Sequence, residues 1–248
     1  MSPLPSPAAA PRQLAARRRL LTIMPAFNEA RRIREVVAAV RAQVGGDLLV
    51  VDDGSSDRTA MEARSAGAIV AIHPANLGYG AALQTGYRYA LRHAYDAVLQ
   101  LDADGQHDPA SIPALIAGLD RADVVVGSRF LEPGSYRPPP ARRAGMWLFG
   151  KVASVLAGQR ITDPTSGFQA ISRDALRFYA HERYPADYPD ADVLAMVARS
   201  GLRLLEVPVR MLPSPPGKSM HAGVVKPLYY VFRMSLALGL VPLRNEKR

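Results

Sequence analysis

The sequence predicts an α/β fold, with a mostly parallel central sheet and helices on both faces. Three observations point to it. Short apolar runs alternate with helical patterns from residue 20 to residue 127. Those runs are continuously apolar, as strands covered on both faces are. Polar and acidic clusters recur where the runs end, and such sheets bind ligands at the carboxyl ends of their strands.

Residues 20–24 are an apolar run closed by Pro25, a first strand. Residues 30–44 place Ile33, Val36, Val37 and Val40 at helical spacing. Residues 48–51 form a second strand, ended by Asp52-Asp53-Gly54, and Ser56 or Asp57 caps a helix reaching about Ser65. Residues 68–72 are a third strand. Asn76-Leu77-Gly78-Tyr79-Gly80 turns into a helix over 81–93, and residues 97–101 are a fourth strand ending at Asp102. A helix over 109–119 and a fifth strand over 124–126 follow. The second half is less regular. Prolines at 133, 138, 139 and 140 make 132–141 a loop, and Asp163-Pro164-Thr165-Ser166-Gly167 is a turn. Residues 142–157, 173–179 and about 190–200 read as helices, 202–209 as a strand, 211–218 as loop and 224–240 as a last helix. No internal repeat is present.

The chain has 248 residues, 48% apolar and 21% charged, which excludes a disordered or collagen-like protein. It has no cysteine, so any metal is held by oxygen or imidazole. The net charge of +9 sits at the ends. Residues 1–19 carry four arginines and no acid, residues 199–248 carry nine basic and two acidic residues, and the stretch between is nearly neutral. Basic ends fit an anionic partner such as lipid, nucleic acid or phosphate. The aromatic-basic motifs of nucleic-acid binding are missing, so no nucleic acid is expected. No run reaches the roughly 20 apolar residues of a span. The expected organisation is a disordered basic lead-in over 1–19, a catalytic domain over 20–212, and a loop with an amphipathic helix over 213–248.

Asp102-Ala103-Asp104 places two carboxylates one residue apart at a strand end, with Gln106, His107 and Asp108 following. Such oxygens suit a hard divalent cation, Mg²⁺ or Mn²⁺, which would relieve the repulsion between the acids. The plainer reading is a solvated turn with Asp108 capping the next helix. Asp52-Asp53-Gly54-Ser55-Ser56-Asp57 can accept hydrogen bonds from a base or ribose, or simply form a turn and cap.

Together these segments resemble the family 2 glycosyltransferases, which have the GT-A fold, a Rossmann-like nucleotide-sugar-binding domain. The matching residues are Met24-Pro25-Ala26-Phe27-Asn28-Glu29, Val51 to Asp57, Asn76-Leu77-Gly78 and Leu101 to His107, in the family's order and spacing. Val126-Gly127-Ser128-Arg129-Phe130, Asp163 to Gln169 and Glu206-Val207-Pro208-Val209 are most similar to the polyprenyl-phosphate (dolichyl-phosphate) sugar transferases. The resemblance implies an inverting, metal-dependent hexosyltransferase using a nucleoside-diphosphate sugar, GDP-mannose or UDP-glucose, and a polyprenyl phosphate. It implies that Pro25, Ala26, Glu29, Asp52 and Asp53 line the nucleoside pocket. Asp102, Asp104 and Gln106 meet diphosphate and metal, with Asp104 the direct ligand and His107 behind them. Arg129 meets the acceptor phosphate, and Arg142 or Arg143 is a second contact or a solvated helix start. Asp163 orients sugar hydroxyls, helps catalysis, or merely forms the turn before Pro164.

A phosphomonoester acceptor is already anionic near neutral pH and needs no general base. A hydroxyl acceptor would need one, and Asp190 and Asp192 are the candidates for a soluble enzyme of that kind. Lys218 and His221 close over the diphosphate or belong to plain loop. His73 is read as structural. The last helix, apolar and flanked by basic residues, reads as interfacial, which places the enzyme at the cytoplasmic face of a membrane. Packing on the domain, on a second copy or on a membrane-protein partner is the alternative, as is a non-catalytic nucleotide-sugar-binding subunit.

Overall fold

The computed structural model describes residues 18–132, 140–181, 184–185, 189–212 and 225–241. Seven strands form one sheet in the order β3-β2-β1-β4-β6-β5-β7. They are β1 (Leu20–Ala26), β2 (Asp47–Asp52), β3 (Ile69–Ile72), β4 (Ala97–Gln100), β5 (Val124–Ser128), β6 (Gln169–Ser172) and β7 (Leu204–Pro208). The helices are α1 (Ile33–Gln43), α2 (Thr59–Ser65), α3 (Tyr79–Arg92), α4 (Ile112–Gly118), α5 (Pro140–Ala157), α6 (Arg173–Tyr179), α7 (Ala191–Arg199) and α8 (Val225–Leu240).

Successive side chains on a strand point to opposite faces, so a continuously apolar strand feeds two cores. In β2, Leu48 and Val50 enter one core with Ile33 and Val37 of α1 and Leu115 of α4. Leu49 and Val51 enter the other with Leu83 and Tyr87 of α3 and Leu194 of α7. β1 divides likewise, with Leu21 and Ile23 on the α3 side and Leu20 and Met24 on the α1 side.

The single, mostly parallel sheet with helices on both faces agrees with the sequence reading, with three differences. β6 was not expected, and it runs antiparallel to both β4 and β5. Its four residues begin with a glutamine and lead straight into α6, too short a stretch to show a period. β3 is an edge strand whose Ile69 and Ile72 are exposed, not a strand buried on both faces. α2 begins at Thr59 behind Arg58, which makes no side-chain cap. Asp57 instead accepts from the Thr59 amide at 2.9 Å and pins the helix entry from outside.

Arg18 and Arg19, expected within the lead-in, are tied to the domain. Arg18 pairs with Asp120 at 2.7 Å, and the Arg19 guanidinium donates to the His93 carbonyl at 2.6 Å. The rest of the lead-in, the loop holding Lys218 and His221, and the final residues lie outside the described residues. No described helix is long and apolar enough to cross a membrane.

Candidate active site

β1 pairs in parallel with β2 on one side and β4 on the other. The chain therefore runs outward in both directions from β1, and loops after these strands border a crevice at their carboxyl ends. The loops after β1 and β2 hold each other. Asn28, at φ 56°, donates its amide to Ser55 Oγ at 2.9 Å, and its side-chain oxygen accepts from the Ser56 amide at 2.9 Å. The Glu29 amide donates to Thr59 Oγ1 at 2.8 Å. The Asp53 amide donates to the Ala26 carbonyl, and Pro25 and Ala26 pair with Val51 and Asp52. Pro25, Ala26, Glu29, Asp52 and Asp53 thus share one corner.

Their carboxylates are used differently. Asp53 is buried, and Oδ1 accepts from the Leu77 amide at 2.9 Å while meeting His73 Nδ1 at 2.7 Å. Its Oδ2 accepts from the Gly78 amide at 2.9 Å. Asp53 therefore fastens the Asn76-Leu77-Gly78 loop, with His73 held from behind by Thr85 Oγ1 at 2.9 Å. Asp52 takes the Ser55 amide at 3.1 Å through Oδ1. Gly54 makes the approach of these loops possible. At φ +70° it lies in the left-handed region, and a Cβ there would sit 2.5 Å from the Ala75 carbonyl carbon.

Past β4, Asp102 accepts from the Tyr79 hydroxyl at 2.7 Å. Asp104 accepts from the Gln106 amide at 2.9 Å and from Gln106 Nε2 at 2.5 Å. Burial pushes the Asp102 carboxyl up, against the Tyr79 hydrogen bond and the Arg129 charge. Burial and then the Asp102 charge push Asp104 up. Burial pushes His107 down to about 4. His107 is neutral at neutral pH, and Nδ1 accepts from the Asp102 amide at 3.1 Å, so the proton sits on Nε2. The ring stacks on Phe168, 4.7 Å between centroids. His107 braces the turn from behind, and Asp108 accepts from the Ala110 amide at 3.0 Å and caps the next turn. Gly167 closes over this cluster, since a Cβ there would lie 2.7 Å from the Tyr79 hydroxyl and 3.5 Å from both Asp102 oxygens.

Arg129 follows β5 and is buried against Asp163, which is wholly enclosed. Two guanidinium nitrogens reach the two carboxylate oxygens at 2.6 Å, and the Arg129 amide donates to Asp163 Oδ2 at 2.9 Å. Thr165 Oγ1 accepts a further bond at 2.8 Å. The loop carrying Asp163 is held by Glu206 on β7, which accepts from the amides of Thr162 and Asp163 and from the Thr162 hydroxyl at 2.8–2.9 Å. Arg129 lies near enough to the acidic turn for its charge to oppose the rise of the Asp102 carboxyl and to add to the lowering of His107.

Asp102, Asp104, Gln106, Arg129 and Asp163 are therefore assembled around one site. Asp163 touches Arg129 and not open space. Asp190 sits immediately before α7, near enough to Tyr79 for its charge to add slightly to the rise of that phenol, which burial dominates. Asp192 is buried within α7. Arg142 and Arg143 fall in the first turns of α5, where their side chains are outside the described residues. Tyr79 was missed by sequence reasoning. Its only signal is its place as the first helical residue after Asn76-Leu77-Gly78. Among the described residues no third His, Cys, Asp or Glu joins Asp102 and Asp104 in a metal-sized cluster.

Residues 22–179 match the family model described as Glycosyl transferase family 2. An undecaprenyl-phosphate mannosyltransferase of Micrococcus luteus is 33% identical over 84% of this chain and 89% of its own. A polyprenol monophosphomannose synthase of Mycolicibacterium smegmatis is 30% identical, over 83% and 82%. Among solved structures, glucosyl-3-phosphoglycerate synthase from Mycobacterium tuberculosis, in complex with Mn²⁺, UDP and glucosyl-3-phosphoglycerate, superposes with a TM-score of 0.71. It is 22% identical and covers 97% of this chain and 85% of its own, a likeness of fold.

Proposed function

The chain belongs to glycosyl transferase family 2, with the GT-A fold, and from that premise we propose that it moves a hexose from a nucleoside-diphosphate sugar to a polyprenyl phosphate at a membrane surface. The observation that carries the acceptor is Arg129, a buried cation fixed by Asp163 beside two carboxylates whose pKa values are raised. A phosphomonoester is a competent nucleophile without a base, and what it lacks is a way to approach an anionic donor. A guanidinium keeps its charge at every physiological pH, so Arg129, with its Nε and Nη2 on Asp163, still lowers the electrostatic cost of bringing a phosphate to the acidic turn. Asp163 and Glu206 position that cation, and Asp163 is a positioning residue in this reading.

The donor would lie in the corner made by Pro25, Ala26, Glu29 and Asp52. Asp53 holds the neighbouring loop by its own bonds. Two hard carboxylates, both raised by burial and Asp104 also by the Asp102 charge, are a donor set that fits Mg²⁺ or Mn²⁺. Asp104 and Asp102 would hold the ion, with Gln106 steadying Asp104. A cation there supplies charge compensation for the departing diphosphate. The sugar reading rests on the two mannosyl relatives, so GDP-mannose leads and UDP-glucose follows.

The test is nucleoside-diphosphate release from each donor with Mg²⁺ or Mn²⁺, with and without polyprenyl phosphate in detergent. The expected result is release that requires the lipid phosphate and is lost in Arg129→Ala. Release stimulated by a sugar alcohol instead, and lost in Asp190→Asn, would overturn it. That second reading, a hydroxyl acceptor, would need a base such as Asp190, which sits immediately before α7.

A further inference from the structure

α5 presents an outward face that its own packing leaves bare. Met146, Phe149 and Ala153 point into the domain, while Trp147, Leu148, Lys151, Val152 and Val155 face out at i, i+1, i+4, i+5 and i+8, one stripe of a helix. Trp147 is 65% exposed, Leu148 52% and Val155 81%. Four of the five outward residues are apolar. The fifth, Lys151, lies with its ammonium 5.9 Å from the Trp147 ring centre. α8 packs beside α5 and shows Leu236 and Leu240, one turn apart and both exposed.

The structure assigns this face of α5 as the docking surface for an anionic lipid bilayer, with Trp147 as its inserted aromatic side chain. Charge decides the occupant. α5 contains Arg142, Arg143 and Lys151, α8 contains Lys226 and Arg233, and neither helix has an acidic residue. A second copy of this face would offer Lys151 no carboxylate, whereas anionic headgroups are complementary to it. An aromatic ring with a lysine beside it is the composition that settles at the headgroup boundary, the lysine stem lying along apolar surface and its charge reaching water.

The same helix connects the face to the site. On the inner side of α5, Ser154 Oγ accepts from the Ile161 amide at 2.9 Å, two residues before Asp163. Docking through the outer side would place the Arg129–Asp163 pair one helix thickness, about 10 Å, from the headgroups. This inference rests on the lipid-phosphate reading above, and it explains how a phosphate anchored in a bilayer reaches Arg129.

Trp147 is the chain's single tryptophan, so its fluorescence reports this face alone. The full chain is titrated with phosphatidylcholine vesicles, with and without phosphatidylglycerol, and with bromine-labelled acyl chains. The expected result is a blue shift and bromine quenching with anionic vesicles, weakened by salt. Leu148→Asp with Val155→Asp keeps the tryptophan and should lower vesicle affinity about tenfold or more. Nucleoside-diphosphate release with detergent-dispersed lipid should stay at the parent level, which also shows that the variant is folded. Flotation with vesicles while the Trp147 emission stays that of an exposed indole would overturn the assignment. So would unchanged binding by the double variant, or a concentration-dependent shift without vesicles accompanied by dimer in sedimentation. Absence of release with polyprenyl phosphate in detergent would sink the acceptor reading and leave the fluorescence result standing by itself.

Discussion

Asp53 and Asp163 are both buried carboxylates at the same edge of the sheet, and they are satisfied in opposite ways. Asp53 takes two backbone amides and an imidazole, and so holds a loop 24–25 residues away. Asp163 takes a guanidinium and an amide 34 residues away, and its own loop hangs on Glu206 a further 43–44 residues on. The β1–β3 side is thus fastened mainly by backbone amides. The β5–β7 side is fastened around a cation. In the proposed transfer, which brings one anion beside another, that cation is needed, and burying it requires a carboxylate that cannot leave.

The difference has unequal energetic consequences. Asp163→Ala leaves a buried guanidinium without its carboxylate, and should cost about 3–5 kcal/mol in denaturant unfolding. Asp104→Ala removes one of two mutually repelling acids. Release of nucleoside diphosphate should fall at least about 100-fold, near 3 kcal/mol in the barrier, with unfolding stability unchanged or higher. A loss of stability there would mean that Asp104 is structural. Asp53→Asn keeps one acceptor oxygen and loses the charge, leaving amide donors poorly met, for a cost of about 2 kcal/mol. If Asp53→Asn proves costlier than Asp163→Ala, the contrast between the two sides is wrong.

The β1–β4 side was legible because its strands are continuous apolar runs that end in acids, and the motif residues sit on those ends. What those acids do was less legible. Asp52 and Asp53 are adjacent and identical in type, yet only Asp53 is fully committed to the Leu77–Gly78 loop. That follows from a chain reversal at Gly54 which no periodicity encodes. On the other side, β6 hid behind four residues, and the Arg129–Asp163 pair joins two segments whose types alone suggested separate roles. Tyr79 was invisible because a tyrosine opening a helix resembles any other half-buried aromatic. Pattern reveals elements, whereas pairing across the sheet appears only when the strands are in register.

The two sides meet at the antiparallel joint of β4 and β6, and alkali should strain it. Gln100 and Gln169 face each other in register there. The Tyr87 hydroxyl donates to Gln100 Oε1, and the Tyr179 hydroxyl donates to Gln169 Oε1 at 3.1 Å. Tyr179 and Tyr184 pack against Tyr87 with centroids 5.3 and 5.4 Å away. Burial pushes all three phenols above their ordinary value. A phenol that stays neutral when folded but ionises near pH 10 when unfolded gives stability that is complete below pH 10 and is lost as pH rises. The loss should approach about 1.4 kcal/mol per phenol for each pH unit above 10. Tyrosinate absorbance of these rings should therefore appear together with unfolding and not before it. Tyr179→Phe should flatten the stability–pH slope by one phenol's share while lowering stability at neutral pH by about 1 kcal/mol, the worth of one hydrogen bond. Tyrosinate absorbance from the whole cluster in a chain that is still folded would show a joint open to water, and the two sides would then be free to move independently.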